Sequence, residues 1–277
     1  MRESFDAHIL ITPFAIPGFS NRHLDPDWFA YRLGLFRRYC VPSVVRQVRQ
    51  DFTWYLGIDE RLIDRHGQAL ENASAGRGVL MPVTSQGWVA CLAMQVSKHG
   101  ERIISSRLDS DDALAPDFID TVQARAQPGW VLNLVDGAKY DTGSGRACRM
   151  KMLNNPFISF FSARGESVID LGGHQEVHEK ASVDDLSTRG PMWLQVVHGD
   201  NVMNSWSRYA KPTHPSSLVE AGLLDEVADE QSQQSLAMQR LGWLIASGSH
   251  VVRHPESLLT RRRLFRGAHH QDSNRSD

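Results

Sequence analysis

The stretch "IISSRLDSDDAL" (residues 103–114) joins an apolar run to three carboxylates that fall within four positions. Its two isoleucines favour burial, whereas Asp109, Asp111 and Asp112 repel one another and favour water or a cation. In open α/β sheets, ligands bind beyond the carboxyl ends of the strands. The stretch therefore predicts a buried strand that ends at a functional edge of a sheet.

Strand and helix patterns alternate over the first half of the chain. Short apolar, β-branched runs predict strands at residues 8–16, 52–59, 78–83, 101–108 and 130–137. Between them, apolar residues at helical spacing predict helices at residues 28–48, 87–100 and 115–129. Such alternation predicts an α/β fold with a mostly parallel open sheet flanked by helices.

After this alternation the pattern changes. Gly143-Ser144-Gly145 predicts a hairpin, residues 155–163 and 192–201 predict further strands, and residues 215–248 have helical character. The domain organisation that follows is a main domain over residues 1–210, a helical extension over 211–254 and a disordered tail over 255–277.

Composition excludes several classes of protein. The chain has 277 residues, a formal net charge of −2 and three well-separated cysteines without a CxxC pair, which supports neither nucleic-acid binding nor a disulfide framework or zinc site. It has no apolar stretch of bilayer length, and acidic residues near the start argue against a signal peptide. We expect a cytoplasmic protein with at most peripheral membrane contact, for which "RRRLFR" (261–266) is the candidate stretch. A weak basic patch of this size favours the alternative, a solvated tail.

The acidic cluster has two interpretations. Carboxylates spaced as Asp-x-Asp can reach the same side of a turn, and Mg²⁺ or Mn²⁺ takes such oxygens together with ligand phosphates. The alternative is a solvated turn in which Asp112 and Asp117 cap the next helix. A calcium-binding EF-hand loop is excluded, because the loop lacks its glycine and its closing glutamate.

Three ordered motifs carry a resemblance to a known family. "RLDSDDAL" after a strand, "RRYCVPSVVRQVRQDFTWYLGID" upstream and "MWLQVVHGDN" downstream resemble the rhamnosyltransferase family of bacteria, over about residues 6–205. That family is similar to glycosyltransferases of the GT-A fold. The resemblance implies a GT-A-like sheet with a C-terminal β-hairpin and helical extension. It also implies metal-dependent transfer of a sugar, rhamnose by the family's name, from a nucleotide-diphosphate sugar to a saccharide or lipid-linked acceptor.

The resemblance also implies a metal site. Asp111 and Asp109 would hold the cation, and His198 would complete its shell, since a neutral imidazole suits Mn²⁺. A strand-end histidine with a purely structural role is the alternative for His198. Asp109 is also a candidate to contact the donor.

Four further residues are candidate donor contacts. Arg107 would bind the diphosphate or pair with a neighbouring aspartate, and Asp59 would contact the nucleotide or cap the helix that follows. Thr12 lies at the end of the first strand. The resemblance implies an arginine near that position, where this chain has Thr12-Pro13-Phe14, so either another residue replaces it or the donor differs. Arg22 is the candidate to replace it.

An inverting transfer needs a general base near the acceptor hydroxyl. We take Asp184 and Asp185 as the predicted catalytic residues. The sequence does not choose among these and the other candidates, which are Asp170, His174, Glu176, His178 and Glu179.

Two other functions stay open at this point. A nucleotidyltransferase would use a similar sheet and metal site, but it would need a glycine-rich basic loop after the first strand, and "FAIPGFSNR" is a poor match. A non-catalytic nucleotide-sugar-binding protein would bind metal and donor without turning the donor over.

Overall fold

The computed structural model describes residues 3–18, 21–174, 176–199 and 211–226, together with residues 236, 239–241 and 243–244. The strands are β1 Ala7–Ala15, β2 Thr53–Asp59, β3 Gly78–Val83, β4 Ile103–Arg107, β5 Ala113–Leu114, β6 Trp130–Leu134, β7 Asp136–Asp141, β8 Arg146–Lys151, β9 Ser159–Ser162, β10 Ser182–Leu186, β11 Trp193–Val197 and β12 Lys211–Thr213. The α-helices are α1 Pro26–Leu35, α2 Val41–Val45, α3 Ile63–Ala73, α4 Trp88–Val96, α5 Phe118–Arg125, α6 Val177–Lys180 and α7 Ser216–Glu220.

The central sheet has seven strands in the order β10-β6-β9-β4-β1-β2-β3. Its strands are parallel except β9, which runs antiparallel to both β4 and β6. The prediction of a mixed α/β fold with a mostly parallel sheet flanked by helices is therefore confirmed. Because β1, β2 and β4 are parallel neighbours, their carboxyl ends lie at the same edge of the sheet.

A second sheet has five strands in the order β12-β8-β7-β11-β5. The predicted hairpin is its centre, because β7 and β8 pair antiparallel from Asp136 and Lys151 to Asp141 and Arg146. The strand β11 lies parallel to β7 and antiparallel to the short β5. The acidic turn connects β4 of the first sheet to β5 of the second, so it sits where the two sheets meet.

The helix predicted over residues 28–48 is interrupted before Pro42. α1 begins with Asp25 as its N-cap, whose side chain accepts a hydrogen bond from the amide of Asp27 at 2.9 Å. It continues through a π-helical segment, Phe36–Cys40, and the amide of Val41 bonds to the carbonyl of Phe36. Proline lacks an amide hydrogen and crowds the preceding turn. The wider π turn accommodates it and lets α2 continue.

The core spans both sheets. Trp193 of β11 is fully buried and stacks on Phe157, with the ring centroids 4.9 Å apart. Trp54 of β2 is also buried, against Phe36 of the π-helical segment. Aromatic pairs at such distances stabilise beyond the area they bury. They fix β11 and the first helix relative to the central sheet, and these are the elements that supply the site.

The region predicted as a helical extension contributes a strand as well as a helix. β12 pairs with β8 and so belongs to the second sheet, while Leu218 of α7 is buried in the core. Residues 255–277, predicted as a tail, lie outside the described residues. Among the described residues, no helix has the length and apolar character needed to cross a bilayer.

Candidate active site

The acidic turn follows β4 directly. The amide of Asp112 donates a hydrogen bond to the carbonyl of Asp109 at 3.1 Å, which closes a four-residue turn. The turn sends its carboxylates in different directions. Asp109 remains partly exposed, Asp111 is nearly buried, and Asp112 is fully buried.

Asp112 fastens the turn to the second sheet. Its Oδ1 accepts a hydrogen bond from the amide of Val196 in β11 at 2.8 Å. Its Oδ2 is buried and has no hydrogen-bond partner among the described residues. Burial, followed by the charges of Asp111 and Asp109, raises the pKa of Asp112 well above its usual value. Asp112 therefore links the turn to β11 and does not cap a helix, whereas Asp117 is the N-cap residue of α5, although its side chain accepts no capping hydrogen bond within the described part of the chain.

Asp111 and His198 meet at the site although they are 87 positions apart in the chain. The Nε2 atom of His198 lies 2.8 Å from Oδ2 of Asp111. The other ring nitrogen, Nδ1, lies 3.1 Å from the hydroxyl of Tyr31 on α1. A tyrosine hydroxyl both donates and accepts, so Tyr31 can hold the imidazole in either tautomer. Burial raises the pKa of Asp111, but His198 and Arg32 outweigh this and lower it.

Arg32 forms a forked pair with Asp111. Its Nη1 donates to Oδ2 at 2.8 Å and its Nη2 to Oδ1 at 3.0 Å, and Nη2 also donates to the hydroxyl of Ser110 at 2.7 Å. The side chain is 14% exposed, and its guanidinium carbon lies 5.7 Å from the centre of the Trp28 ring. Burial opposes the charge of Arg32, but Asp111 outweighs burial and raises the pKa of the guanidinium.

Arg107 pairs with Asp109. Both Nε and Nη2 of the guanidinium donate to Oδ1 of Asp109 at 3.1 Å. Burial, followed by the charge of Arg107, lowers the pKa of His174, one of the alternative base candidates.

The three carboxylates are compensated, contrary to what their sequence spacing predicts. Arg32 pairs with Asp111, Arg107 pairs with Asp109, and burial raises the pKa of Asp112 well above its usual value. The expected mutual repulsion is thus already relieved in the protein alone. The sequence could not show this, because Arg32 comes from a helix far upstream.

Asp59 lies at the end of β2, as predicted, but its carboxylate is already satisfied. It accepts hydrogen bonds from the amide and the guanidinium of Arg61, and from Nε2 of His23 at 2.8 Å. The bonds to Arg61 lower its pKa, and the bond to His23 adds to the effect against burial. The capping role is therefore present, because Asp59 starts the short 3₁₀ turn Glu60–Leu62.

The other two predicted donor contacts lie differently. Thr12 is fully buried, and its hydroxyl accepts a hydrogen bond from the indole of Trp54 at 2.9 Å. In this structure, Thr12 is therefore a core residue that binds the Trp54 indole. Arg22 is exposed on the short turn Asn21–Leu24, next to the His23 that binds Asp59.

Asp184 and Asp185 lie on β10, at the edge of the central sheet. Asp185 accepts a hydrogen bond from the side-chain amide of Asn133 at 2.7 Å. Burial, followed by the charge of Asp185, raises the pKa of Asp184. β9 and β6 separate β10 from β4, which corresponds to about 14 Å at the usual strand spacing. The structure therefore does not join this pair to the acidic turn.

The donor atoms at the turn suit a divalent cation. An oxygen of Asp111 and a nitrogen of His198 already converge within 2.8 Å, and this is a ligand pair that Mn²⁺ accepts. The bond from Tyr31 to the far ring nitrogen is the kind of contact that orients a metal-ligating histidine. Asp109 does not join them, and within the described residues no three such side chains converge on one point. A cation here would need further ligands from a bound diphosphate or water.

Sequence reasoning missed Tyr31, Arg32 and Ser110. Ser110 lies inside the quoted motif, but its spacing carries no signal for arginine binding. Tyr31 and Arg32 lie on a helix that was predicted, although the sequence does not show which part of that helix meets the turn. The Trp28 and Arg32 pair, spaced by four positions, is the one local signal that links this helix face to a cation.

Comparison with known proteins gives one family and a set of solved structures. A sequence model of the family described as "Putative rhamnosyl transferase" matches residues 20–208. No protein of curated function matches the chain.

The solved structures are distant. The glycosyltransferase GlyE of Streptococcus pneumoniae TIGR4 shares 13% identity with a TM-score of 0.41, and its apo form 12% with 0.40. Both similarities cover 87% of this chain and 64% of GlyE. S. aureus TarS 1-349 shares 12% identity with a TM-score of 0.39, over 69% of this chain and 60% of TarS. The chain thus spans less than two thirds of the length of these solved chains.

Proposed function

The chain belongs to the rhamnosyl transferase family over residues 20–208, and we propose that it is a glycosyltransferase. It would move a sugar from a nucleotide-diphosphate sugar to a saccharide or lipid-linked acceptor. Rhamnose is the donor sugar that the family's description names. The acidic turn after β4 is the proposed donor site.

One observation carries this proposal. Asp111 and His198 come from the ends of β4 and β11, which belong to different sheets, and their donor atoms lie 2.8 Å apart in a nearly buried position. A turn that served only to connect two strands would not need a histidine at this point, because Asp112 already ties it to β11. The convergence supports a site for a divalent cation and a diphosphate.

We propose that Asp111 and His198 hold a divalent cation, Mn²⁺ or Mg²⁺. When bound, such a cation offsets the charge that develops on the nucleoside diphosphate as the glycosidic bond breaks. Tyr31 fixes the ring of His198 through Nδ1, so that Nε2 faces the site. Asp112 holds β11 against the turn, which keeps His198 and Asp111 in register.

Arg107 and Asp109 form the partly exposed side of the site. Their pair lies at the surface, with the side chains 25% and 29% exposed. An exposed pair of this kind is weak and can be exchanged. Arg107 would turn to a phosphate oxygen of the donor, and the carboxylate of Asp109 would then accept from a donor hydroxyl.

Asp184 is the proposed general base. An effective base has a pKa near the working pH, and burial raises the pKa of Asp184 in that direction. Asp185, held by Asn133 on the next strand, is the proposed positioning residue for β10. This assignment does not rest on contact with the acidic turn, because β6 and β9 lie between β10 and β4.

A panel of nucleotide sugars tests the function. The protein is incubated with each donor and Mn²⁺, and the release of nucleoside diphosphate is measured together with the melting temperature. We expect one donor both to raise the melting temperature and to be turned over. If a donor binds but no nucleoside diphosphate is released, even when candidate saccharide or lipid-linked acceptors are added, the protein is a non-catalytic binding protein instead.

A further inference from the structure

Arg32 occupies the place on Asp111 that a cation would take. Both carboxylate oxygens of Asp111 accept from the guanidinium, and Oδ2 is also the oxygen that faces His198. Arg32 Nη1 and His198 Nε2 each lie 2.8 Å from this one oxygen. A divalent cation bound between Asp111 and His198 would bring a second positive charge against the guanidinium. The two cations therefore compete for the same carboxylate.

Displacement of Arg32 would leave a buried charge without its partner. The guanidinium is 14% exposed, its Nε is buried without a hydrogen-bond partner among the described residues, and its position is set by packing beside Trp28. A buried charge that loses its partner destabilises the protein strongly. A diphosphate is the anion that would restore the pairing, because its oxygens accept both arms of a guanidinium fork.

We propose that Arg32 is the resident counter-ion of Asp111 and couples the binding of the cation to that of the donor's diphosphate. The guanidinium holds Asp111 while the site is empty. When a cation binds Asp111, the guanidinium leaves that carboxylate and pairs with the diphosphate. Neither ligand then binds well without the other. This inference rests on the proposed function for the identity of the anion.

Two binding constants, measured on Arg32→Met and the wild type, test the coupling. The first is for Mn²⁺ alone, from the electron paramagnetic resonance signal of the free ion. The second is for inorganic pyrophosphate at saturating Mn²⁺, by calorimetry. Methionine keeps the packing beside Trp28 and removes the charge. We expect Arg32→Met to bind Mn²⁺ about tenfold more tightly than the wild type, and pyrophosphate about tenfold more weakly.

These opposite signs separate the proposal from a structural role, which would weaken both constants. Arg37→Met is the matched control: it removes the same charge from an exposed position near α1, and screening should leave both constants within about twofold. Arg32→Lys, which keeps a charge without the fork, should shift both constants in the same directions by less. If Arg32→Met does not fold, Arg32→Lys provides the test in its place.

The proposal is overturned if Arg32→Met, or Arg32→Lys in its place, binds Mn²⁺ no more tightly than the wild type. Unchanged binding of pyrophosphate overturns it equally, and so does an absence of Mn²⁺ binding in every variant. The proposed function is measured separately, through turnover of a nucleotide sugar. Turnover by a protein whose Arg32 variants show no opposite shifts would leave the glycosyltransferase standing without this coupling.

Discussion

His198 is held at both ring nitrogens, with Nδ1 3.1 Å from the hydroxyl of Tyr31 and Nε2 2.8 Å from Oδ2 of Asp111. Tyr31 is 42% exposed, so its hydroxyl contributes little to the core. The contact instead determines where the imidazole points. The first prediction follows from this difference between stability and orientation.

Tyr31→Phe should weaken cation-dependent binding of a nucleoside diphosphate by about tenfold, because the far nitrogen of His198 loses its bond to the Tyr31 hydroxyl. The melting temperature without ligand should stay close to that of the wild type. Titration calorimetry with Mn²⁺ and the nucleotide measures the first quantity. Tyr55→Phe is the control, since it breaks a similar bond between a tyrosine hydroxyl and a histidine ring, 2.8 Å long, to His99. Equal effects of the two substitutions would remove Tyr31 from the site.

Asp112 is expected to act through shape and not through charge. Asp112→Asn keeps an oxygen for the amide of Val196 and should change the free energy of unfolding little, because burial raises the pKa of the native carboxyl well above its usual value and so disfavours its charge. Asp112→Ala removes the bond to that buried amide and should cost about 1–3 kcal/mol. Urea denaturation of both variants measures the difference. A larger loss for Asp112→Asn than for Asp112→Ala would mean that the charge matters.

The pKa of His8 predicts how the free energy of unfolding changes at acid pH. It is buried in β1, where Nε2 donates to the hydroxyl of Ser106 at 2.8 Å while Nδ1 accepts from the amide of Gln123 at 3.3 Å. Burial lowers its pKa from 6.5 to about 3. The unfolded chain therefore binds a proton that the folded protein excludes, and the free energy of unfolding falls as the pH falls from 6.5 towards 3.

His8→Gln should make this fall shallower, because glutamine does not titrate. Melting temperatures of the wild type and the variant at about pH 7 and about pH 4.5 provide the test. The wild type should lose more between the two values than the variant. Parallel losses would show that His8 takes up its proton in the folded protein.

The regular elements of the first half could be predicted from the sequence, because each has its own local pattern. The buried run before Asp109 is β4, and Gly100, with φ of 109°, lies where the helix before it was predicted to end. The second sheet could not be assembled in the same way. It joins β5 to β11, which lie far apart in the chain, and the two residues of β5 have no periodicity to detect.

The site was predicted in part for the same reason. Asp109, Asp111 and His198 were found because each follows a strand, and the structure brings Asp111 and His198 together. Arg32 and Tyr31 come from the middle of a helix, where arginine and tyrosine are common surface residues. Arg32 meets the turn and Tyr31 meets His198 because of how this helix packs against the two sheets. Local sequence spacing does not show that packing.

Turnover of the identified nucleotide sugar by the wild type and Asp111→Asn, in Mn²⁺ and in chelator, tests the account most directly. The wild type should release nucleoside diphosphate in Mn²⁺, stop in chelator and recover when Mn²⁺ returns. Asp111→Asn should lose at least about 100-fold in turnover and should no longer respond to Mn²⁺. Full turnover of the wild type in chelator, or undiminished turnover by a folded Asp111→Asn variant, would contradict a cation site at Asp111 and His198.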